Sequence, residues 1–413
     1  MRIQRKLLVA GGVVLAFAAT VPALAAARPG TTAADGRNPT RAAVHASLSP
    51  QPGMTATDGA ATEVRNPARA AALASLSAQQ LAGQRVIYSY SGLNPPASLI
   101  SLIQHGQAAG VIFFKQNISS RAQIAAVIKR LEQANASSLN PVRAPLLLMT
   151  DQEGGQVRRL PGQPYLSEKQ IGAAPLAQAK TLATQAGQGA AANLRGVGMN
   201  VNLAPVLDVY RNAGGFDDEF GRSYSKYPAV VSALGVNMIK AQQAGKVAAT
   251  AKHFPGLGAA AVSQNTDLRP VTLNLPLATI RGVDEAPFRA AISAGVKLVM
   301  MSWATYPSIQ KGRPAGISPN VVQGELRSRL KFTGVTITDA LEAGALTSYG
   351  SIQNRTLRAA QAGMDLMLAS AQNITEGQQA RGELAAAYSN GTLNHAAFLA
   401  SVNRVIALRQ SLK

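Results

Sequence analysis

Cysteine is absent from this 413-residue chain, so disulfides, thiolate metal sites and a lipid-modified N-terminal cysteine are excluded. Aromatic side chains make up only 5% of the sequence, with a single tryptophan. So few flat rings give no base-stacking platform, and there is no recognition-helix, zinc-finger or RNP-type pattern. A nucleic-acid partner is therefore not expected. Acidic residues are also scarce, 20 Asp and Glu against 40 Lys and Arg, for a formal charge of +20. A basic surface of this kind suits an anionic wall polymer or acidic glycan, or simply aids solubility.

Long hydrophobic runs are missing too. Beyond the N terminus no stretch is long and apolar enough to span a bilayer. The first residues, MRIQRKLLVAGGVVLAFAATVPALAAARPG, place Arg2, Arg5 and Lys6 before a short apolar run that ends in small residues around Ala23 and Ala25. This is the pattern of a secretory signal peptide over residues 1–25, and it predicts a secreted product with no membrane span after cleavage. Residues 26–75 are rich in Ala, Thr, Pro and Gly and read as a flexible low-complexity linker. Within them RNPTRAAVHASLSPQ, from Arg37, is nearly repeated as RNPARAAALASLSAQ, from Arg65. Two copies are too few for a solenoid. The second leads through the helix-like SLSAQQLAGQ into a folded domain expected over 76–413.

That domain alternates apolar, strand-like runs with Ala-rich amphipathic segments such as SRAQIAAVIKRLEQA. The runs are RVIYSY, GVIFF, PLLLMTD, MNVNLAP, KVAATAKH, VKLVMMS, VTITD and MDLMLA, eight in all. Near-continuously apolar strands between helices predict a parallel sheet, and eight repeats predict a closed α/β barrel of the TIM type. A doubly wound open sheet is the alternative. Asp151, His253, Ser302 and Asp339 each end a different run. In a barrel those ends converge on one mouth, whereas an open sheet would scatter some of them.

Two stretches carry candidate chemistry. TDQEGGQVRRL, from Thr150, leaves a strand with Asp151 and Glu153, turns on two glycines and presents Arg158 and Arg159. Carboxylate and guanidinium together suit vicinal hydroxyls of a sugar, although Asp151 could equally cap the next helix. VTITDALEAGAL, from Val335, ends a β-branched strand in Asp339, which is either a nucleophile or an N-cap.

Taken together, DQEGGQVRRL, VNLAPVLDV, FGRSY, KHFPGLG, VMMSWATYP and ITDALEAGAL resemble glycoside hydrolase family 3, specifically its single-barrel bacterial β-N-acetylglucosaminidase branch, over about residues 77–413. The resemblance implies a TIM-type barrel, retaining hydrolysis of terminal β-linked sugars from cell-wall or chitin-like oligosaccharides, and neither metal nor organic cofactor. It implies that Asp339 is the nucleophile and that Asp151, Arg159, Arg222, Lys252 and His253 hold the sugar. Two positions depart from the family pattern. Gln156 replaces a common arginine, and Trp303 stands where a histidine is common, at the pocket rim or behind it.

A third departure concerns the acid/base. KHFPG-x-G is usually followed by D-S-H, whose histidine does this work, but here A-A-A-V-S-Q intervenes before Asn265, Thr266 and Asp267. With about two extra loop residues Asp267 takes the histidine's slot; without them Asn265 does, and no acid stands there. The chain's four histidines, His45, His105, His253 and His395, offer no replacement unless His253 changes role. Asp267 is the favoured acid/base; the alternatives are that it is an exposed structural or capping residue, or that another carboxylate such as Asp217, Asp218 or Glu219 serves. A sugar-binding protein with weak or lost catalysis and a β-glucosidase are the competing functions. A monomer is the default assembly.

Overall fold

The computed structural model describes residues 73–412, so the signal-peptide pattern, the first copy of the duplicated segment and the start of the second lie outside the described residues. Every one of the eight apolar runs forms a strand. In chain order the strands are β1 (Val86–Tyr88), β2 (Gly110–Ile112), β3 (Leu147–Thr150), β4 (Gln152–Gly154), β5 (Val157–Arg158), β6 (Val201–Asn202), β7 (Ala248–Phe254), β8 (Leu298–Met301), β9 (Val335–Ala340) and β10 (Leu366–Leu368). β4 and β5 form an antiparallel hairpin, and the other eight close a barrel in the order β1-β10-β9-β8-β7-β6-β3-β2. All eight barrel pairings are parallel. The closed barrel, not the open sheet, is the fold.

The strands lack a polar face because both of their faces are covered. Side chains alternate across each strand. Ile87, Ile112, Met149, Leu298, Met300 and Ile337 point into one cluster that fills the barrel. Their neighbours Tyr88, Val111, Leu148, Val299 and Met301 belong to the larger shell packed under the helices. Helix entry is marked locally: Ser77 accepts from the Gln80 amide while the Gln80 side chain returns to the Ser77 amide, a capping box that starts Ala78–Gly83.

The helix His395–Ser411 lies across the amino ends of the strands and closes that side of the barrel. Its Val405 and Leu408 join the interior cluster. Arg409, 1% exposed, donates to the carbonyls of Ala144 and Pro145 just ahead of β3. With the amino end sealed, the carboxyl ends of the strands are left to form a cavity.

Candidate active site

The first wall of that cavity is the β4–β5 hairpin. Asp151 leaves β3, Glu153 lies on β4, and the chain reverses at Gly154 and Gly155, whose φ angles of 131° and 54° are regions that L side chains avoid. The Arg158 guanidinium braces the turn through the carbonyls of Gly155 (2.9 Å) and Gly162 (2.7 Å). Arg159 instead faces the cavity, its Nε 3.8 Å from Asp151 Oδ2.

Lys252, near the end of β7, is 2% exposed and joins two carboxylates: its Nζ lies 2.9 Å from Asp151 Oδ1 and 2.7 Å from Glu153 Oε1. Arg222 grips Glu153 with two parallel bonds of 2.9 and 3.0 Å and reaches Asp217 at 3.0 Å. Burial alone would raise the Glu153 pKa, but Arg222 and Lys252 outweigh it and hold the carboxyl at about 2. Burial also pushes Asp151 up, and Lys252 and Arg159 bring it below the usual range. Both carboxylates are therefore fixed hydrogen-bond acceptors at neutral pH.

Beside this cluster His253 is oriented by Asp208. Its Nδ1 lies 2.7 Å from Asp208 Oδ2, and Asp208 also accepts the backbone N–H groups of Leu257 (2.5 Å) and His253 (3.3 Å). Burial lowers the His253 pKa, so the ring is neutral over most of the physiological range. Burial and the nearby Asp208 charge push Asp217 up to about 7. Asp208, Asp217 and His253 are close enough to hold a metal ion. Backbone amides occupy Asp208 and the Arg222 guanidinium takes Asp217 Oδ1, while Asp217 Oδ2 is buried without a hydrogen-bond partner among the described residues.

Asp339 stands at the end of β9, half-buried, and accepts the N–H of Ala340 at 2.8 Å. Burial raises its pKa, His253 opposes the rise, and the charge of Asp267 adds to it. Asp267 is exposed on the loop after β7, where its own N–H donates to Asn265 Oδ1 at 2.8 Å. That loop is fastened to the chain beyond Asp339. The amides of Gly344 and Ala345 donate to the carbonyls of Asp267 (2.8 Å) and Thr266 (3.0 Å). A Cβ on Gly344 would sit 2.4 Å from the Leu268 carbonyl carbon, so only glycine permits this approach.

The structure thus brings Asp151, Arg159, Arg222, Lys252, His253, Asp267 and Asp339 to one cavity of about 560 Å³. Gln156 and Asn265 line it as well. Trp303 does not, being fully buried, with its indole N–H donating to the Ala340 carbonyl at 2.8 Å. Asp217 and Asp218 are buried and tied to Arg222 and Lys169, and Glu219 is exposed without lining the cavity. Sequence reasoning gave no role to Glu153 or Asp208. Each lies in a quoted motif, DQEGG and VNLAPVLDV, but its partners come from other strand ends.

A closed parallel barrel whose carboxyl-end cavity is lined by fixed carboxylates, a lysine and guanidinia defines a TIM-barrel enzyme fitted to a polyhydroxylated ligand. The comparisons make that class specific. The profile described as the glycosyl hydrolase family 3 N terminal domain matches residues 74–408, and the chain belongs to this family and is a glycoside hydrolase. It is 45% identical over 331 residues to a protein named "Uncharacterized secreted glycosyl hydrolase" from Arthroderma benhamiae, an alignment covering 80% of this chain and 93% of that one. It is 33% identical to a beta-hexosaminidase of Stenotrophomonas maltophilia, over 73% of this chain and 86% of the relative. Among solved structures, a family 3 beta-N-acetylglucosaminidase from Paenibacillus superposes with a TM-score of 0.76 at 33% identity. That match covers 82% of this chain and 63% of the other, so the chain spans less than two thirds of that neighbour.

Proposed function

We propose that the protein is an exported, retaining exo-β-glycosidase that releases terminal β-linked N-acetylhexosamine, with Asp339 as nucleophile and Asp267 as acid/base. One observation carries this reading. Asp339 and Asp267 face the same cavity, interact electrostatically, and form no ion pair or hydrogen bond with a lysine or arginine among the described residues. Asp151 and Glu153 are committed to cations. Glu342 also lines the cavity, but it turns to the Ser370 hydroxyl at 2.9 Å. The names of the Stenotrophomonas and Paenibacillus proteins support the choice of sugar. The signal-peptide pattern and the name of the fungal relative support export, with residues 26–75 as linker and 76–413 as catalytic domain.

Retention requires two carboxyl groups about 5–5.5 Å apart. Asp339 attacks the anomeric carbon as Asp267 gives its proton to the departing glycosidic oxygen. Asp267 then takes a proton from water, which attacks the same carbon and frees Asp339. The ion cluster of Asp151, Lys252 and Arg222 fixes the glycone hydroxyls without taking up protons itself.

The test is release of nitrophenol from nitrophenyl N-acetyl-β-glucosaminide, beside the β-glucoside, by the protein and its Asp339→Ala variant. The expected result is turnover of the first substrate, reduced about 10⁴-fold or more in the variant. Near-normal activity in the variant would remove Asp339 from the chemistry. Preference for the glucoside would overturn the choice of sugar.

A further inference from the structure

A second groove, of about 680 Å³, runs along the outside of the barrel between the helices Leu176–Arg195 and Pro228–Ala244. It is lined by Thr184 and Gln188 from one helix, Asn237 from the other, and the cations Arg195, Lys240 and Lys246. All three cations are exposed, and among the described residues none of their side chains has a hydrogen-bond or ion-pair partner. Neither helix contains an Asp or Glu. The groove is therefore a concavity of uncompensated positive charge. From Thr184 to Arg195 it extends about 16 Å at the helical rise, the span of several repeats of a linear polymer.

Helix polarity places the groove relative to the catalytic cavity. In a βα barrel each helix runs back against its strand, so helix C-termini lie at the amino ends of the strands. Arg195 ends the first helix and Lys246 follows the second, which puts the charged end of the groove opposite the catalytic mouth. Capping of the helix dipoles would account for Arg195 and Lys246. It does not account for Lys240 or for the Gln188 amide; Thr184 and Asn237 bond to each other (3.2 Å) and so tie the two helices together beneath the groove. No aromatic ring lines the groove, so a nucleic acid would find no base-stacking surface there.

We infer that this groove binds a segment of a linear polymer whose repeat carries a phosphate and free hydroxyls, and so holds the enzyme on an anionic matrix while the catalytic cavity stays open. Phosphates meet Arg195, Lys240 and Lys246, and hydroxyls meet the exposed Gln188 amide. Adsorption of this kind raises the effective concentration of enzyme near bound substrate without changing the chemistry.

The experiment measures binding of the full chain to poly(glycerol phosphate) at several salt concentrations. It compares the triple variant Arg195→Gln, Lys240→Gln, Lys246→Gln with a control of equal charge loss, Lys311→Gln, Arg313→Gln, Lys331→Gln. The groove variant is expected to bind about tenfold more weakly or worse, with a salt dependence flattened by about 0.7–0.9 per lost phosphate contact. The control should stay within about twofold of the parent. Hydrolysis of a soluble aryl glycoside should be unchanged in the groove variant, which separates this inference from the catalytic assignment. Equal losses in both variants, or no binding by the parent, would overturn the site. Duplex DNA held as tightly as the polymer, with the same loss in the groove variant, would overturn the class of occupant.

Discussion

The barrel carries a buried ion network at each end, and the two look alike by charge. At the mouth, Glu153 sits between Arg222 and Lys252. At the sealed end, Asp365 sits between Arg327 (2.6 Å) and Arg404 (2.8 Å). In both, burial pushes the carboxyl up and the neighbouring cations overcome it, leaving a pKa of about 2. The shift alone cannot say which end does chemistry; the remaining bonding capacity can. Asp365 Oδ2 also accepts the Thr336 amide (2.9 Å) and hydroxyl (3.1 Å), and Arg404 takes Oδ1, so nothing is left for a ligand. At the mouth, Asp151 Oδ2 lies 3.8 Å from the Arg159 Nε, and Asp339 holds one bond from its own neighbour's amide. Unspent acceptors beside a cavity mark a site, whereas a saturated network marks a fastening.

The largest effect expected from breaking this contrast is chemical. Asp267→Ala should lower kcat about 10²–10⁴-fold on an oligosaccharide, whose leaving group must be protonated, and far less on a nitrophenyl glycoside. Stability should hardly move, because Asp267 is exposed and its tie to Gly344 runs through the backbone. Equal losses on both substrates, measured by steady-state kinetics, would take the acid role away from Asp267.

The sealed end should behave in the opposite way. Asp365→Asn leaves two guanidinia facing a neutral group and should cost about 3–5 kcal/mol in urea unfolding, while kcat of the folded protein at 20 °C stays within about twofold. Because the folded pKa of Asp365 is depressed, its contribution is present above the ordinary carboxylate range and is lost as pH falls toward about 2. The variant's stability curve should therefore converge on the parent's in that acid window. A variant that lost activity before stability would erase the distinction between the two ends.

Much of this was legible in the sequence. Eight apolar runs became eight strands because a parallel strand buried on both faces must be apolar throughout. The polar residues that end those runs converge because a closed barrel brings strand ends together. The β4–β5 hairpin was not legible. QEGGQVRR has no alternating pattern, and the hairpin is held by Gln152, which donates to the carbonyls of Leu160 and Gln163 and bonds through its backbone to Asn202 on another strand. The work of Asp208 was hidden for a similar reason. Its partners His253 and Leu257 lie 45 and 49 residues further along the chain and meet it only when β6 and β7 pair.

Trp303 sharpens the comparison most finely, because it belongs to neither network and yet touches the strand end that bears Asp339. The indole is fully buried, and its one polar atom donates to the carbonyl of Ala340, the residue after Asp339. Trp303→Phe keeps most of the packing and removes that donor. A lost hydrogen bond to a buried carbonyl is worth about 1 kcal/mol, or roughly fivefold in a rate. If the bond fixes the Asp339 carboxylate for attack, kcat should fall by about that factor with KM unchanged, since Asp151, Arg159 and Lys252 are untouched. If the indole only fills space, the same variant should lower Tm by a few degrees and leave kcat alone. The first result would extend the working end of the barrel one layer inward, and the second would set its boundary at Asp339.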